Sequence, residues 1–325
     1  MNTGCKYVVL CFLLTLLLAC GRSSVIPTSG GRSYEVLVTG PDQQAVTMVA
    51  EALREVKMEG LPQVESTFDV SSMARNELDQ STRYTRNIVL VSTDSTQLKQ
   101  TRIRYEQNVY ARPQVIVHID APSRVHLKAS IKEAVERVSD ELTRAEIYNG
   151  IVNLRSHHNQ QATALVKSRF GCRLWVPEDL RKTREGKDFV WFTNDGARNM
   201  LNICVDRYVS DSIRQGELIS KRDSFMQANV KGETDSIYMT TVMTNLQFRA
   251  PGEKNVSRLG VRGLWEMHGD AMGGPFVCLA VQTGDSILCV EGFVYAPGTK
   301  KRNLVRRLEA SLYTLKDSRN IDMTK

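Results

Sequence analysis

Apolar positions along the chain recur in patterns that assign most of it to regular elements. Residues 35–40 (EVLVTG) form a short apolar run suited to a buried strand. From Asp42 to Met58, the positions Ala45, Met48, Val49, Ala52 and Val56 give an apolar stripe, which predicts an amphipathic helix. Residues 87–93 and 113–120 are rich in β-branched residues and read as strands, with a further strand near 103–110. Ser123, after Pro122, is a good N-cap for a long helix. Its stripe is Leu127, Ile131, Ala134, Val135, Val138, Leu142 and Ala145, while Lys128, Lys132, Glu136 and Arg137 stay in water. Asn149-Gly150 predicts its end or a kink.

The second half is dominated by strands, at 171–177, 188–194, 199–207 and 236–244, with a helix near 211–229 that Asp211 would cap. Strands at 259–268, 275–283 and 286–295 follow, and a basic amphipathic helix closes this part at 300–315. Leu304, Val305, Leu308 and Leu312 are its stripe. Lys300, Lys301, Arg302, Arg306 and Arg307 form either a solvated outer face or a surface for anionic lipid or a protein. The hairpin about Gly284 has two registers: a Thr283-Gly284 turn sets Cys278 opposite Cys289, whereas a Gly284-Asp285 turn sets Cys278 opposite Glu291. The pattern predicts an α+β chain: a smaller N-terminal βαββα unit at 34–157 and a larger, mostly antiparallel sheet flanked by helices at 158–325. The boundary falls within 150–170. The element order of the second unit loosely resembles the PsbP-like α/β/α sandwich.

The first residues change the picture from fold to address. Lys6 precedes an apolar run from Tyr7 to Leu18, too short for a comfortable membrane span but suited to the apolar region of a signal peptide at 1–19. Leu17-Leu18-Ala19-Cys20 resembles the lipobox of bacterial lipoprotein precursors. That resemblance implies diacylation of the Cys20 thiol and cleavage after Ala19. Two or three acyl chains anchor stably without a membrane helix. Residues 20–33, small and polar, read as a flexible tether.

Charge and cysteine usage narrow the partners. Lys6 is the one charged residue lost with the leader, so the formal charge falls from +7 to +6. The excess is modest and dispersed, which argues against nucleic acid as a partner. Cys172, Cys204, Cys278 and Cys289 remain in the body, with no CxxC spacing. Free buried thiols fit their apolar surroundings, and an oxidising compartment leaves three disulfide connectivities open.

Several segments together carry a family resemblance. They are Gly263-Leu264-Trp265-Glu266, Asp270-Ala271-Met272-Gly273-Gly274-Pro275-Phe276-Val277 and Glu291-Gly292-Phe293-Val294-Tyr295-Ala296-Pro297. Arg222-Asp223-Ser224, Tyr238-Met239-Thr240, Arg86-Asn87-Ile88 and Arg112-Pro113-Gln114 complete the set. In this order they resemble the Bacteroidetes lipoprotein family known as domain of unknown function 4837. The resemblance implies one conserved unit over nearly the whole mature chain and assigns no activity. Surface-exported lipoproteins of that group carry acidic residues after the lipidated cysteine. Gly21, Arg22, Ser23 and Ser24 lack them, which points to an outer-membrane anchor facing the periplasm.

Candidate chemistry concentrates in Trp265–Phe276. Glu266, His268 and Asp270 alternate, so an extended strand would place them on one face, where carboxylates and an imidazole could hold a metal or move a proton. Trp265, Gly273 and Gly274 complete this candidate binding segment. The glycines fit positions of unusual backbone geometry, and GxGxxG, GxxxxGK[ST], HExxH, GxSxG and SxxK are all absent. No cofactor is indicated. Two expectations follow: a non-catalytic envelope lipoprotein that binds an envelope protein or cell-wall component, or an envelope hydrolase or metal-dependent enzyme using Glu266, His268 and Asp270.

Overall fold

The computed structural model describes residues 26–74, 78–94, 97–249 and 257–317. The leader, Cys20 and the tether up to residue 25 lie outside the described residues. The N-terminal part runs β1 (Glu35–Gly40), α1 (Gln43–Glu55), β2 (Asp69–Ala74), β3 (Asn87–Ser92), β4 (Arg102–Gln107), β5 (Val115–Asp120) and α2 (Arg124–Ser156). Its sheet has the order β2-β1-β3-β5-β4; all pairings are parallel except the edge strand β4. Val36 and Val38, Val89 and Val91, and Val117 and Ile119 line one face, and α1 and α2 both cover that face through Val46, Val49, Leu53, Val135, Val138 and Leu142. Asp42 caps α1 by accepting from Gln44 N (3.0 Å) and Ala45 N (3.3 Å). Ser123 caps α2 as the sequence predicts.

The chain continues with α3 (Gln160–Phe170), β6 (Cys172–Arg173), β7 (Lys182–Gly186), β8 (Phe189–Thr193), β9 (Met200–Val209), α4 (Gln215–Asn229), β10 (Tyr238–Arg249), β11 (Arg258–His268), β12 (Gly273–Thr283), β13 (Ser286–Tyr295), α5 (Arg302–Leu312) and β14 (Lys316–Asp317). Seven strands make one antiparallel sheet, β10-β11-β12-β13-β9-β8-β7. Alternation divides its side chains between two cores. Val205, Val277, Leu279, Val290 and Val294 pack under α3 and α5, while Trp191, Trp265, Phe276 and Phe293 pack under α4. The result is a three-layer α/β/α unit.

Several local expectations are corrected. Asn149-Gly150 does not end the long helix, which runs on to Ser156. Gly150 is there for proximity, because a Cβ would lie 2.9 Å from the Ala310 Cβ where α2 meets α5. The boundary zone is itself helical, capped by Asn159 and ended by Gly171 in the left-handed region. Within 171–177 only Cys172–Arg173 is a strand. Helix α4 starts at Gln215 rather than beside Asp211; Asp211 instead binds Arg214 at 3.1 Å. Strands β2 and β7 are additions, because their polar residues lack the apolar run that marks a buried strand. The hairpin adopts the Gly284-Asp285 turn: Thr283 pairs Ser286, Cys278 pairs Glu291, and Gly284 takes φ +70°. All four described cysteines are buried, and Cys204, Cys278 and Cys289 are free thiols.

The largest correction concerns the last helix. Its basic residues do not form a solvated face: Lys301, Arg302 and Arg306 are buried against the N-terminal unit, while Lys300 and Arg307 stay exposed. Helix α5 has no side-chain cap of its own. The buried Glu65 carboxylate, from the loop between α1 and β2, accepts from Lys301 N (2.7 Å) and Arg302 N (3.1 Å). Arg302 donates to Ser66 O (2.8 Å) and to Asp69 (2.6 Å). Glu309 binds Arg306 at 2.9 Å and also Arg262 of β11. From the same loop Met58 enters the core beneath α5. Removing the Glu65 carboxylate leaves two helix donors unmet in the seam between the units. Glu65→Ala should therefore cost about 1–2 kcal/mol, read as an earlier urea midpoint. An unchanged midpoint would show that this cap does not contribute.

Candidate functional site

A cleft of about 1750 Å³ opens where α2, α5, the β4–β5 loop and the segment around Pro177–Arg181 meet. Its walls are built by two of the segments singled out in the sequence. Arg86 reaches the Glu146 carboxylate of α2 with Nε at 2.6 Å and a terminal nitrogen at 2.8 Å, the forked geometry that suits a planar guanidinium. Asn87 donates from Nδ2 to Glu146 (2.7 Å) and Glu35 O (2.9 Å), joining strand to helix. Gln114 is buried after the cis Arg112–Pro113 bond. Its amide donates to Arg83 O (2.6 Å) and Thr85 O (2.8 Å), and its oxygen accepts from Tyr110 N (2.9 Å) and Ala111 N (3.3 Å). All the amide's main hydrogen-bonding capacity goes into fixing the loop that carries Arg112 to the cleft. Tyr148 and Val152, exposed at 64% and 49%, present apolar surface from α2 to the same space.

A second polar constellation is buried under α4 and joins three other segments. Arg222 of α4 forks onto Glu291 of β13, with two contacts of 2.7 Å. It also donates to the Thr241 hydroxyl (2.7 Å) and to Asp223 (3.2 Å), and its guanidinium lies 4.0 Å from the Phe276 ring centroid. Burial opposes the Arg222 charge, but Glu291 more than offsets it and the guanidinium titrates above its usual range. Burial pushes the nearby Asp206 carboxyl well above the usual carboxylate range, and the Glu291 charge adds to that. Arg222 thus serves two carboxylates, Asp223 and Glu291, the latter raised by burial against the pull of Arg222, while burial keeps Asp206 protonated beside the Cys289 thiol. Burial likewise raises the Cys204 thiol beside them. These groups form a largely buried network that fastens α4 to the sheet.

The Trp265–Phe276 segment is placed on the outer part of β11 and β12. Trp265 is buried; its Nε1 donates to Val294 O (3.3 Å) and its ring meets Phe293 edge-on at 5.5 Å. A Cβ at Gly274 would come within 2.0 Å of Val294 O, and one at Gly273 within 2.9 Å of Trp265 O, so both glycines permit close backbone approach. Glu266 and His268 do share one exposed strand face, and His268 stacks on Tyr238 at 5.0 Å. Asp270 lies past the strand end, where its carboxylate accepts from Ala271 N at 2.6 Å. The three side chains are therefore not gathered into a pocket. Among the described residues no group of three or more His, Cys, Asp or Glu is spaced to hold a metal ion. Sequence reasoning missed the cleft because its groups come from opposite ends of the chain. The Arg86-Asn87 and Arg112-Pro113-Gln114 segments were the available signal.

These two polar centres belong to two family matches. Residues 159–314 match the family described as Domain of unknown function (DUF4837), and the Arg222, Trp265 and Glu291 segments fall within the match. Residues 29–155 match a second family, Domain of unknown function (DUF8532), which takes in the Arg86 and Arg112 segments. The expectation of one conserved unit over the whole mature chain is corrected accordingly. No curated protein matches the chain. Among solved structures, the human StarD13 (DLC2) lipid transfer and protein localization domain matches 47% of this chain and 95% of its own, at 10% identity and a TM-score of 0.20.

Two outcomes follow from this geometry. Asp206 holds its proton in the folded chain above the pH at which the unfolded chain releases it, so its contribution to stability is full in acid and declines as pH rises past the ordinary carboxylate range. Asp206→Asn should gain on the parent between about pH 4 and about pH 8 in urea melts; a gap that shrinks over that range would contradict a protonated Asp206. Glu291→Gln removes the forked, fully buried countercharge of Arg222, leaving it Asp223 alone, and should lose about 3 kcal/mol. A loss under about 1 kcal/mol would mean the pair is not carrying a buried charge.

Proposed function

We propose that this chain is an exported lipoprotein, cut before Cys20 and held by acyl chains at the periplasmic face of the outer membrane. Its folded body binds an envelope protein or a cell-wall component in the cleft between the units, without turning it over. The address rests on the order of the Tyr7–Leu18 run, Ala19 and Cys20 and on the polar tether that follows. The site rests on one observation: the cleft is a large concavity at a domain junction, the setting in which ligand sites preferentially occur, and motif residues fix its walls. At about 1750 Å³ it exceeds the roughly 300–1,000 Å³ of ordinary small-molecule sites, which favours an extended ligand or a partner's protruding segment. The exposed spread of Glu266, His268 and Asp270 gives the hydrolase reading no comparable support.

Two measurements test the parts separately. Cells fed labelled palmitate should acylate the parent chain, and Cys20→Ala should remain unlabelled and leave the membrane fraction. A labelled Cys20→Ala chain would end the anchoring proposal. A photo-crosslinking residue at Val152 in intact cells should capture a discrete species that a probe at Asp140, exposed on α2 outside the cleft, does not. Equal capture from both positions would remove the cleft as the binding site.

A further inference from the structure

The cationic residues of the cleft are chemically selective. The chain contains 28 arginines and 15 lysines, yet the cleft lining has seven arginines and no lysine. The same lining has four carboxylates, which leaves it a formal +3. Four of the arginines are satisfied by protein carboxylates: Arg86 by Glu146, Arg144 by Glu141, Arg306 by Glu309 and Arg307 by Asp179. Arg112, Arg155 and Arg181 form no ion pair among the described residues, and all three are exposed. They come from both units: Arg112 follows β4, Arg155 lies in the last turn of α2, and Arg181 precedes β7. Seven cations drawn at the chain's own ratio of 28 arginines to 15 lysines would include about two lysines. A planar guanidinium is instead suited to forked contacts with carboxylate and phosphate oxygens.

We infer that this cleft is a recognition site for an extended ligand bearing several oxyanions, carboxylate or phosphate, held by Arg112, Arg155 and Arg181 while its apolar parts lie on Tyr148 and Val152. The inference rests on the cleft being the binding site and adds the chemistry of what enters it. Three of the cleft's own carboxylates, Glu146, Glu141 and Asp179, pair Arg86, Arg144 and Arg307, and Glu309 from behind the lining pairs Arg306. A ligand that brings its own negative charge would give the remaining three the forked partners that no protein carboxylate supplies. Contacts of this kind at an open cleft are screened by salt, so affinity should fall as ionic strength rises.

The test is titration calorimetry of the full chain with two probes, tetraglutamate and inorganic tripolyphosphate, at low and high salt. At least one should bind saturably, more weakly at high salt, and the preferred probe identifies carboxylate or phosphate as the recognised group. A chain carrying Arg112→Gln, Arg155→Gln and Arg181→Gln should bind that probe at least tenfold more weakly. A matched chain carrying Lys99→Gln, Lys128→Gln and Lys132→Gln, three exposed positions outside the cleft, should bind like the parent. Because all six side chains are exposed, both variants should keep the parent's unfolding midpoint. Equal weakening in both variants would reduce the effect to net charge and overturn the inference. So would the absence of saturable binding by either probe. Capture from Val152 in cells would then still stand, separating a wrong ligand chemistry from a wrong site.

Discussion

A buried helix of cations at the junction of the units is the constraint on which the rest of this structure depends. Lys301, Arg302 and Arg306 are withdrawn from water, and a charge so placed is costly unless it meets a countercharge or hydrogen bonds of good geometry. The N-terminal unit supplies Glu65 and Asp69, and the helix itself supplies Glu309. The seam is thus held by placed charges as well as by the apolar insertion of Met58. The cleft lies along the edge of this seam, and Arg306 and Arg307 reach it from the same helix. What anchors one unit to the other also shapes the surface offered to a ligand.

Most of the fold was legible because periodicity reports burial. The central strands β3 and β5 and the hairpin strands β12 and β13 are apolar runs, and a buried strand needs such runs whatever it packs against. Strands β2 and β7 were not legible because they sit at sheet edges, where backbone pairing continues without an apolar side-chain pattern. The basic face of α5 misled for a different reason. Charge at a helix surface is solvated in most proteins, and the residues that cover this face, Glu65, Ser66 and Asp69, lie more than two hundred positions earlier. Gly150 misled similarly, since a glycine that reads as a helix end can also be a glycine that lets two helices touch.

The polar residues divide in the same way. Segments that stood out in sequence were real physical units, but their roles are mostly constructive. Arg222 and Glu291 lock α4 onto the sheet, Trp265 and Gly274 set strand packing, and Gln114 fixes a loop. Alternation correctly put Glu266 and His268 on one face, yet it could not tell that the strand ends before Asp270. Of the three exposed arginines of the cleft only Arg112 lay in a segment that stood out, and nothing in sequence joined it to Arg155 and Arg181, which lie far along the chain and share no motif with it.

The seam also has a consequence for the order in which the protein is made. A ribosome delivers β1 to α2 first, and that part can assemble its sheet and helices from residues already present. Its docking face stays unfinished, with Glu65 and Asp69 lacking the guanidinium and helix donors that complete them, and Met58 lacking its pocket. Those donors arrive only when residues 301–309 have been synthesised, after the whole intervening sheet. Helix α5 is therefore the clasp of the molecule: its Leu308 side chain closes on Gly292 of β13 and its Ala310 side chain on Gly150 of α2. A chain stopped just short of it would hold two nearly complete halves whose main seam stays open.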